Sequence, residues 1–323
     1  MATSRPFRFG VLAMEECSSR QAWADYSRKV EDLGYSTLVM GEHISWGGLA
    51  PTVALMAAAD ATTQLRVATH VLINDLRNPV LLAQEVATLD LLSGGRLEFG
   101  IGAGWLKADY QAAGIPFAPA TTRVRRLQEA VTLLKRLLGG GSVTFHGDYY
   151  SVQEMTLTAQ PVQRPHPPLY IGGGGTEVLS IAAREANIVG VNSKATADGA
   201  VDLGDRSAQA FDEKVRWIRE AAGERSAELE LNTLIQQVRV TGNRGQAADE
   251  VLSAYANWPP DIIVNVPGSG EEILDAPYCL IGTVAHIVEQ LQERRERWGI
   301  SYITVHGGHV DALAPVIEKL AGT

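Results

Sequence analysis

Short apolar runs alternate with amphipathic segments along the whole chain, and this alternation is the main pattern in the sequence. Apolar runs of about four to eight residues predict buried strands, and apolar positions that repeat every three or four residues predict helices. Helical sequence follows each predicted strand, which is typical of a parallel β-sheet. The pattern predicts eight strands, at residues 7–13, 37–40, 66–71, 97–101, 169–171, 188–191, 229–240 and 302–305.

The most regular passage runs from residue 78 to residue 105, NPVLLAQEVATLDLLSGGRLEFGIGAGW. Pro79 suits the first turn of a helix, and the apolar residues that follow at helical spacing predict one inward face. Gly94 and Gly95 predict the end of that helix, and residues 97–101 then form an apolar strand typical of a buried parallel sheet. Three alternating glycines at the strand end allow close approach to the backbone, at the edge where α/β folds bind ligands.

Eight strand–helix units without a low-complexity linker favour a (β/α)8 TIM barrel, an α/β fold that needs about 250 residues. The chain has 323 residues. The extra length is expected in two insertions, a hairpin at about 140–160 and a helical, Pro/Gly-containing segment at about 241–280. A doubly wound open sheet is the alternative, but no G-x-G-x-x-G motif stands in the first strand–helix turn. We therefore expect a single TIM-barrel domain over residues 1–323.

Composition excludes several classes of protein. The formal net charge is −9, and no long cluster of Lys and Arg is present, so nucleic acid is not an expected partner. No apolar run approaches about 18 residues and no signal segment precedes the first strand, so we expect no membrane segment and a cytoplasmic location. Cys17 and Cys279 match no metal or redox spacing and are expected to be free thiols.

Four passages carry a family resemblance: VEDLGYSTLVMGEH, RNPVLLAQEVATLDLLSGGRLEFGIGAGW, PVQRPHPPLYIGGGG and IGTVAHIVEQL. In this order they resemble the bacterial luciferase-like flavin/deazaflavin oxidoreductase superfamily, and most closely its actinobacterial branch of coenzyme F420-dependent oxidoreductases. The resemblance covers nearly the whole chain. It implies a (β/α)8 barrel and hydride transfer between coenzyme F420 and a small organic substrate. The alternative is an FMNH2-dependent monooxygenase that uses molecular oxygen, with FMN as the cofactor.

A run of four glycines, Gly172, Gly173, Gly174 and Gly175, follows the fifth predicted strand and precedes Thr176 at the start of a helix. Unobstructed N–H groups and the positive end of a helix dipole together form a cradle for an anion. In proteins that this chain resembles, the corresponding loop holds the phosphate of the cofactor. We expect these five residues to bind that phosphate.

His43 follows the second predicted strand, where barrel enzymes place catalytic groups. A side chain that titrates near neutral pH can supply or take the proton that accompanies hydride transfer. The resemblance implies that His43 lies near the reactive ring. Relatives commonly have Asp-His at this point, and Glu42 stands in the position of the Asp. We expect His43 and Glu42 to be catalytic.

The resemblance also implies a non-prolyl cis peptide bond late in the third strand, in a bulge behind the cofactor ring, and we expect it at His70–Val71. His70 and Val71 are therefore expected to contact the cofactor, and the sequence leaves open whether His70 is catalytic or structural. Asn74, in the loop that follows, is expected to contact the carbonyl edge of the ring.

Two tryptophans and two late histidines are expected in the substrate pocket: Trp46, Trp105, His306 and His309. Trp105 stands at about the point where related sugar-phosphate dehydrogenases have a glutamate, which argues against that substrate class. No carboxylate or cysteine completes a ligand set around the H-x-x-H spacing, so substrate contact is expected there and metal is not. Relatives are often dimers, so a homodimer is an expectation, as is a separate flavin or F420 reductase that supplies reduced cofactor.

Overall fold

The computed structural model describes residues 5–14 and 17–323. Within these residues, parallel strands form a closed barrel in which each strand pairs with its neighbours in sequence. The ring closes because Gly10 of the first strand pairs with Thr304 of the last, and Val67 of the third with Leu97 of the fourth. The predicted (β/α)8 barrel is confirmed. The strands are β1 (Arg8–Leu12), β2 (Thr37–Met40), β3 (Arg66–Thr69), β4 (Leu97–Gly102), β5 (Leu169–Gly173), β6 (Ile188–Val191), β7 (Glu230–Ile235) and β8 (Ile300–His306).

Helices follow the strands and pack against the outside of the barrel, where their apolar faces form the main hydrophobic core with the outward strand residues. No helix in residues 5–14 and 17–323 is long and apolar enough to cross a membrane. The helices of this part of the chain are α1 (Arg20–Asp32), α2 (Pro51–Ala61), α3 (Pro79–Leu92), α4 (Lys107–Ala113), α5 (Ala120–Leu138), α6 (Thr176–Glu185), α7 (Ala208–Ala222), α8 (Arg244–Ala256), α9 (Gly270–Asp275), α10 (Val284–Trp298) and α11 (Val310–Leu320).

Helix α3 begins and ends at the residues that the sequence predicts. The Asn78 side chain caps it by accepting the N–H of Val80 at 2.9 Å, and Pro79 occupies the first helical position. The helix ends at Leu92, and Gly94 then takes a φ of +67°, a conformation that favours glycine.

The chain itself makes the expected close approach to the glycines of β4. A methyl group at Gly100 would overlap the carbonyl oxygen of Thr69, and one at Gly102 would lie 2.7 Å from the Val71 side chain. The peptide bond between His70 and Val71 is cis, as predicted. Gly100 and Gly102 therefore leave room for the end of β3.

Ion pairs fill the barrel at the amino-terminal ends of its strands. Arg8 pairs with Glu98 and Glu230, each at 2.6 Å, and Arg66 pairs with Glu98 at 2.8 Å. The buried carboxylate of Glu98 needs such partners because removing an unpaired charge from water is costly. This layer closes the barrel at the amino-terminal ends of its strands, so the space for a ligand lies at the carboxyl-terminal ends.

The seventh strand differs from its predicted extent, residues 229–240. Strand β7 ends at Ile235, and Gln237–Val240 pairs in parallel with Cys279–Gly282 outside the barrel. The break occurs because the N–H of Gln236 bonds to the carbonyl of Tyr278 at 2.8 Å, which redirects the chain towards the second insertion. Apolar alternation continues through both strands, so the pattern alone does not show the break.

The two expected insertions contain regular structure. The first is an antiparallel hairpin of Val143–His146 and Ser151–Met155. The second contains α8, α9 and the short strand Ile263–Val264, which pairs with Val201–Asp202. A separate hydrophobic cluster stabilises this region: Leu203, Ala247, Ala248, Val251, Tyr255, Ile263, Ile273, Ala276, Cys279 and Ile281.

Candidate active site

A cavity of about 1120 Å³ opens at the carboxyl ends of the barrel strands, with the second insertion as one wall. This is the face where barrel enzymes bind their ligands. The cavity brings together most of the residues that the sequence predicts for the site: Glu42, His43, Trp46, His70, Val71, Trp105, Gly172, Gly173, Gly174, Gly175, Thr176, His306 and His309.

His43 lies directly after β2 and is paired with a carboxylate. Its Nδ1 lies 2.8 Å from Oδ2 of Asp109, which is fully buried at the start of α4. Oδ1 of Asp109 accepts the backbone N–H of Ser45 at 2.9 Å and its hydroxyl at 2.7 Å. Since Asp109 occupies Nδ1, Nε2 is the ring nitrogen of His43 that is left to meet a ligand in the cavity.

The hydrogen bonds around Asp109 keep its carboxyl ionised. Burial alone would raise the pKa of this group, but the bonds from His43 and Ser45 outweigh burial and lower the pKa below its usual value. An ionised Asp109 holds a proton on Nδ1 of His43, so Nε2 accepts a hydrogen bond in the neutral ring and donates one in the protonated ring.

Asp109 is a site residue that the sequence reasoning missed. The available signal was its place in WLKADY, as the first acidic residue after β4 at the mouth of the barrel. Its partner is 66 positions earlier in the chain, so the pairing depends on how β2 and α4 pack together.

Two indole rings stand beside His43. The Trp46 ring stacks on the imidazole with the ring centroids 3.9 Å apart, and the Trp105 ring meets it edge-on at 5.6 Å. Trp46 is 47% exposed, so part of its ring is accessible at the cavity edge. The immediate surroundings of His43 are aromatic, which suits a flat or apolar ligand.

Glu42 is bound on both carboxylate oxygens. Arg77 pairs with Oε1 at 2.6 Å, and the backbone N–H of Ile73 donates to Oε2 at 2.8 Å. Glu42 is only 8% exposed. These contacts join the end of β2 to the loop after β3, and they give the carboxylate a structural task that differs from the catalytic role expected for it.

His70 belongs to a polar network inside the barrel. Its Nε2 lies 2.6 Å from the hydroxyl of Tyr170 and 3.3 Å from Oδ1 of Asn232, whose amide nitrogen donates to Thr304 at 2.9 Å. Burial lowers the pKa of His70 to about 4, despite the opposing hydrogen bond with Asn232. His70 is therefore neutral near pH 7.

Asn74 does not line the cavity. It is 1% exposed, and its amide nitrogen donates to the hydroxyl of Tyr150 at 3.0 Å. The expected contact between Asn74 and a cofactor ring is therefore corrected: the side chain instead holds the hairpin insertion against the loop after β3.

The glycine cradle, residues 172–176, joins β5 to α6 at the cavity wall. No side chain of the described residues caps α6 at Gly175, so its first N–H groups stay available. A methyl group at Gly174 would overlap the backbone of Ser193 and Lys194, whereas one at Gly175 would meet no heavy atom within 4 Å. The cradle is therefore narrow at Gly174 and open at Gly175, and a phosphate fits an uncapped helix start of this kind.

His306 and His309 meet at Gln236. Nε2 of His306 lies 3.2 Å from the Gln236 side-chain oxygen, and Nε2 of His309 donates to the Gln236 carbonyl at 3.3 Å. Burial lowers the pKa of His306 to about 4, helped by the nearby positive charges of His309 and Arg206. Within residues 5–14 and 17–323, no three His, Cys, Asp or Glu side chains are grouped to hold a metal ion.

A family model described as luciferase-like monooxygenase matches residues 6–302. This chain belongs to the luciferase-like monooxygenase family. The match confirms the family that the four sequence passages indicate.

Relatives of this luciferase-like chain differ in the cofactor that they name. An FMNH2-dependent dimethylsulfone monooxygenase of Pseudomonas putida is 29% identical over 238 residues, 62% of this chain and 64% of that protein. An F420-dependent glucose-6-phosphate dehydrogenase of Kineococcus radiotolerans is 34% identical over 187 residues, 56% of this chain and 55% of that protein. The matched part thus spans between about half and two thirds of these curated relatives.

A solved structure shares the fold over almost the full length of both chains. It is that of a coenzyme F420-dependent tetrahydromethanopterin reductase from Methanopyrus kandleri, with 19% identity and a TM-score of 0.77. The match covers 98% of this chain and 99% of that one. At this identity the likeness shows the barrel architecture and nothing finer.

Proposed function

We propose that this protein is a coenzyme F420-dependent oxidoreductase that transfers a hydride between the deazaflavin and a small organic substrate. The observation that carries the proposal is a single cavity that contains both a paired histidine suited to proton transfer and a cradle suited to a phosphate. The pair of His43 and Asp109 lies after β2 and β4, and the uncapped glycine cradle lies after β5. The F420-dependent relatives at up to 34% identity support the same cofactor.

Each end of the cavity has a task in this reaction. When bound, the deazaflavin supplies the carbon that gives or takes the hydride. The N–H groups of the glycine cradle hold its phosphate, and Trp46 and Trp105 exclude water beside His43. His43 supplies or takes the accompanying proton at Nε2, and Asp109 keeps the ring oriented for that transfer. Glu42 acts through Ile73 and Arg77 as a positioning residue.

A reduced-flavin monooxygenase is the second candidate. The Pseudomonas putida relative supports it, because its match to this chain is longer than that of the F420-dependent relative. A glycine cradle binds the phosphate of FMN as well as that of the deazaflavin. The two candidates differ in their need for oxygen, since the deazaflavin reacts little with it.

Anaerobic turnover tests the proposed function. Reduced F420 is mixed with the protein and a panel of small ketones, aldehydes and unsaturated carbonyl compounds, and its oxidation is followed by absorbance. We expect turnover without oxygen, and its loss in His43→Ala with cofactor affinity retained. His146→Ala, an exposed histidine on the hairpin, is the matched control and should keep full activity. Turnover only with FMNH2 and oxygen would overturn the proposal.

A further inference from the structure

Arg206 stands in the cavity wall between β6 and α7 with most of its donors unused. Its Nε donates to the hydroxyl of Ser193 at 2.8 Å, and Nη1 donates to the hydroxyl of Tyr255 at 3.3 Å. A guanidinium has five N–H donors, so these two bonds fix its position and leave others for a ligand. The ring of Tyr278, 5.6 Å from the guanidinium carbon, confines it further.

The positive charge of Arg206 is not balanced by a nearby carboxylate. Asp205, the preceding residue, pairs with the buried Lys214 at 2.5 Å and with Lys194 at 3.6 Å. Among the described residues, Arg206 itself forms no ion pair. Burial lowers the pKa of Lys214 and the pair with Asp205 opposes this, while the positive charges of Lys194 and Arg206 add to the lowering. This wall of the cavity therefore carries excess positive charge.

Arg206 is also next to the glycine cradle. Ser193, which accepts its Nε–H, packs through its backbone against Gly174. The cradle contains no cation of its own, and the acidic Glu177 stands in the first turn of α6. Backbone N–H groups orient an anion well, but the anion is held more strongly when a cation is added.

We propose that Arg206 binds an oxyanion of a ligand in the cavity, and so supplies the charge that the glycine cradle lacks. The planar guanidinium matches the paired oxygens of a phosphate or carboxylate. The inference rests on the proposed function, because it assumes that the cavity binds a ligand with a phosphate or carboxylate group. The oxyanion belongs either to the cofactor or to a second ligand bound beside it.

Paired ligands with and without phosphate test the proposal. FMN is compared with riboflavin, and F420 with its phosphate-free deazariboflavin, by fluorescence titration of the unsubstituted protein and of Arg206→Gln. We expect Arg206→Gln to weaken binding of the phosphorylated member about 10-fold to 100-fold, and to leave the phosphate-free member within about twofold. Arg206→Lys should recover part of the loss. Arg216→Gln removes an equal charge from an exposed pair outside the cavity and should change neither affinity.

A second arm identifies the source of the oxyanion. Inorganic phosphate is titrated into the cofactor-loaded protein, with chloride as the ionic-strength control. If Arg206→Gln spares the cofactor but weakens phosphate binding here, the oxyanion belongs to the second ligand. Unchanged affinities in both arms overturn the proposal, as do equal losses in Arg216→Gln. If no flavin or deazaflavin binds to the unsubstituted protein, the proposed function fails, and inorganic phosphate binding to the cofactor-free protein still tests Arg206.

Discussion

Replacing Asp109 by Asn should change which ring nitrogen of the neutral His43 carries the proton. The substitution keeps the size of a fully buried side chain but removes its charge. Asp109 now accepts three donors, from Nδ1 of His43 and from the backbone and hydroxyl of Ser45. An amide has one oxygen and one NH2 group, so it cannot accept from both residues at once. With the amide oxygen on Ser45, its NH2 group faces Nδ1, and the imidazole proton moves to Nε2.

The expected size of the effect follows from those contacts. A positioned general acid or base contributes about 10² to 10⁴ in rate, so Asp109→Asn should lower the turnover rate by about 10² or more. The substrate KM should change much less, because Asp109 does not line the cavity. Losing one hydrogen bond to an ionised group should lower the free energy of unfolding by about 1.5–3 kcal/mol.

Steady-state kinetics over a range of about pH 5 to pH 9 measures this effect, with cofactor affinity measured on the same samples. Ser45→Ala is the matched control, since it removes one donor to Asp109 but keeps the carboxylate on His43. Its rate should stay close to that of the unsubstituted protein, with an unchanged pH profile. A normal rate and pH profile for Asp109→Asn, or an equal loss in Ser45→Ala, would refute the role assigned to Asp109.

Four further substitutions separate binding, positioning and pH effects. Gly174→Ala places a methyl group against the backbone of Ser193 and Lys194, so it should lower the free energy of unfolding by about 1–3 kcal/mol and weaken phosphate binding. Gly175→Ala has open space around the added methyl group and should bind phosphate normally. Glu42→Gln should lower the free energy of unfolding by about 1–3 kcal/mol without moving the pH profile of turnover, because it breaks the pair with Arg77 and leaves Nε2 of the active histidine unchanged. Burial lowers the pKa of His306 to about 4 in the folded protein, so on acidification the unfolded chain takes up a proton at this histidine first. As the pH falls from about 6.5 to 4, His306 should therefore lower the free energy of unfolding by about 3 kcal/mol. His306→Gln should make that fall shallower in urea unfolding at each pH, with the part due to the similarly buried His70 remaining; an unchanged slope would contradict it.

The barrel could be predicted because the residues that define its strands and helices are close together in the sequence. Strands that are buried on both sides read as apolar runs, and α3 is bounded by Asn78, Pro79 and Gly94, whose caps and turns act within a few residues. The end of β7 could not be predicted in the same way. It depends on a hydrogen bond from Gln236 to Tyr278, which belongs to an insertion more than one helix away.

The site was predictable where a strand end or a glycine run marks it, and not where partners meet only in the folded chain. His43 and the glycine cradle follow strands directly, and both reach the cavity. Asp109 and Arg206 were missed because their importance comes from distant partners and from charge balance. Asn74 has suitable chemistry and lies next to the site, but packing turns its amide towards Tyr150.

We propose that this luciferase-like barrel uses a deazaflavin held by the glycine cradle. Titration of the purified protein with F420 and with FMN, under identical salt and pH, tests it most directly. We predict micromolar binding of F420, no comparable binding of FMN, and a weaker F420 affinity in Gly174→Ala than in Gly175→Ala. Tight binding of FMN with no comparable binding of F420 would contradict it.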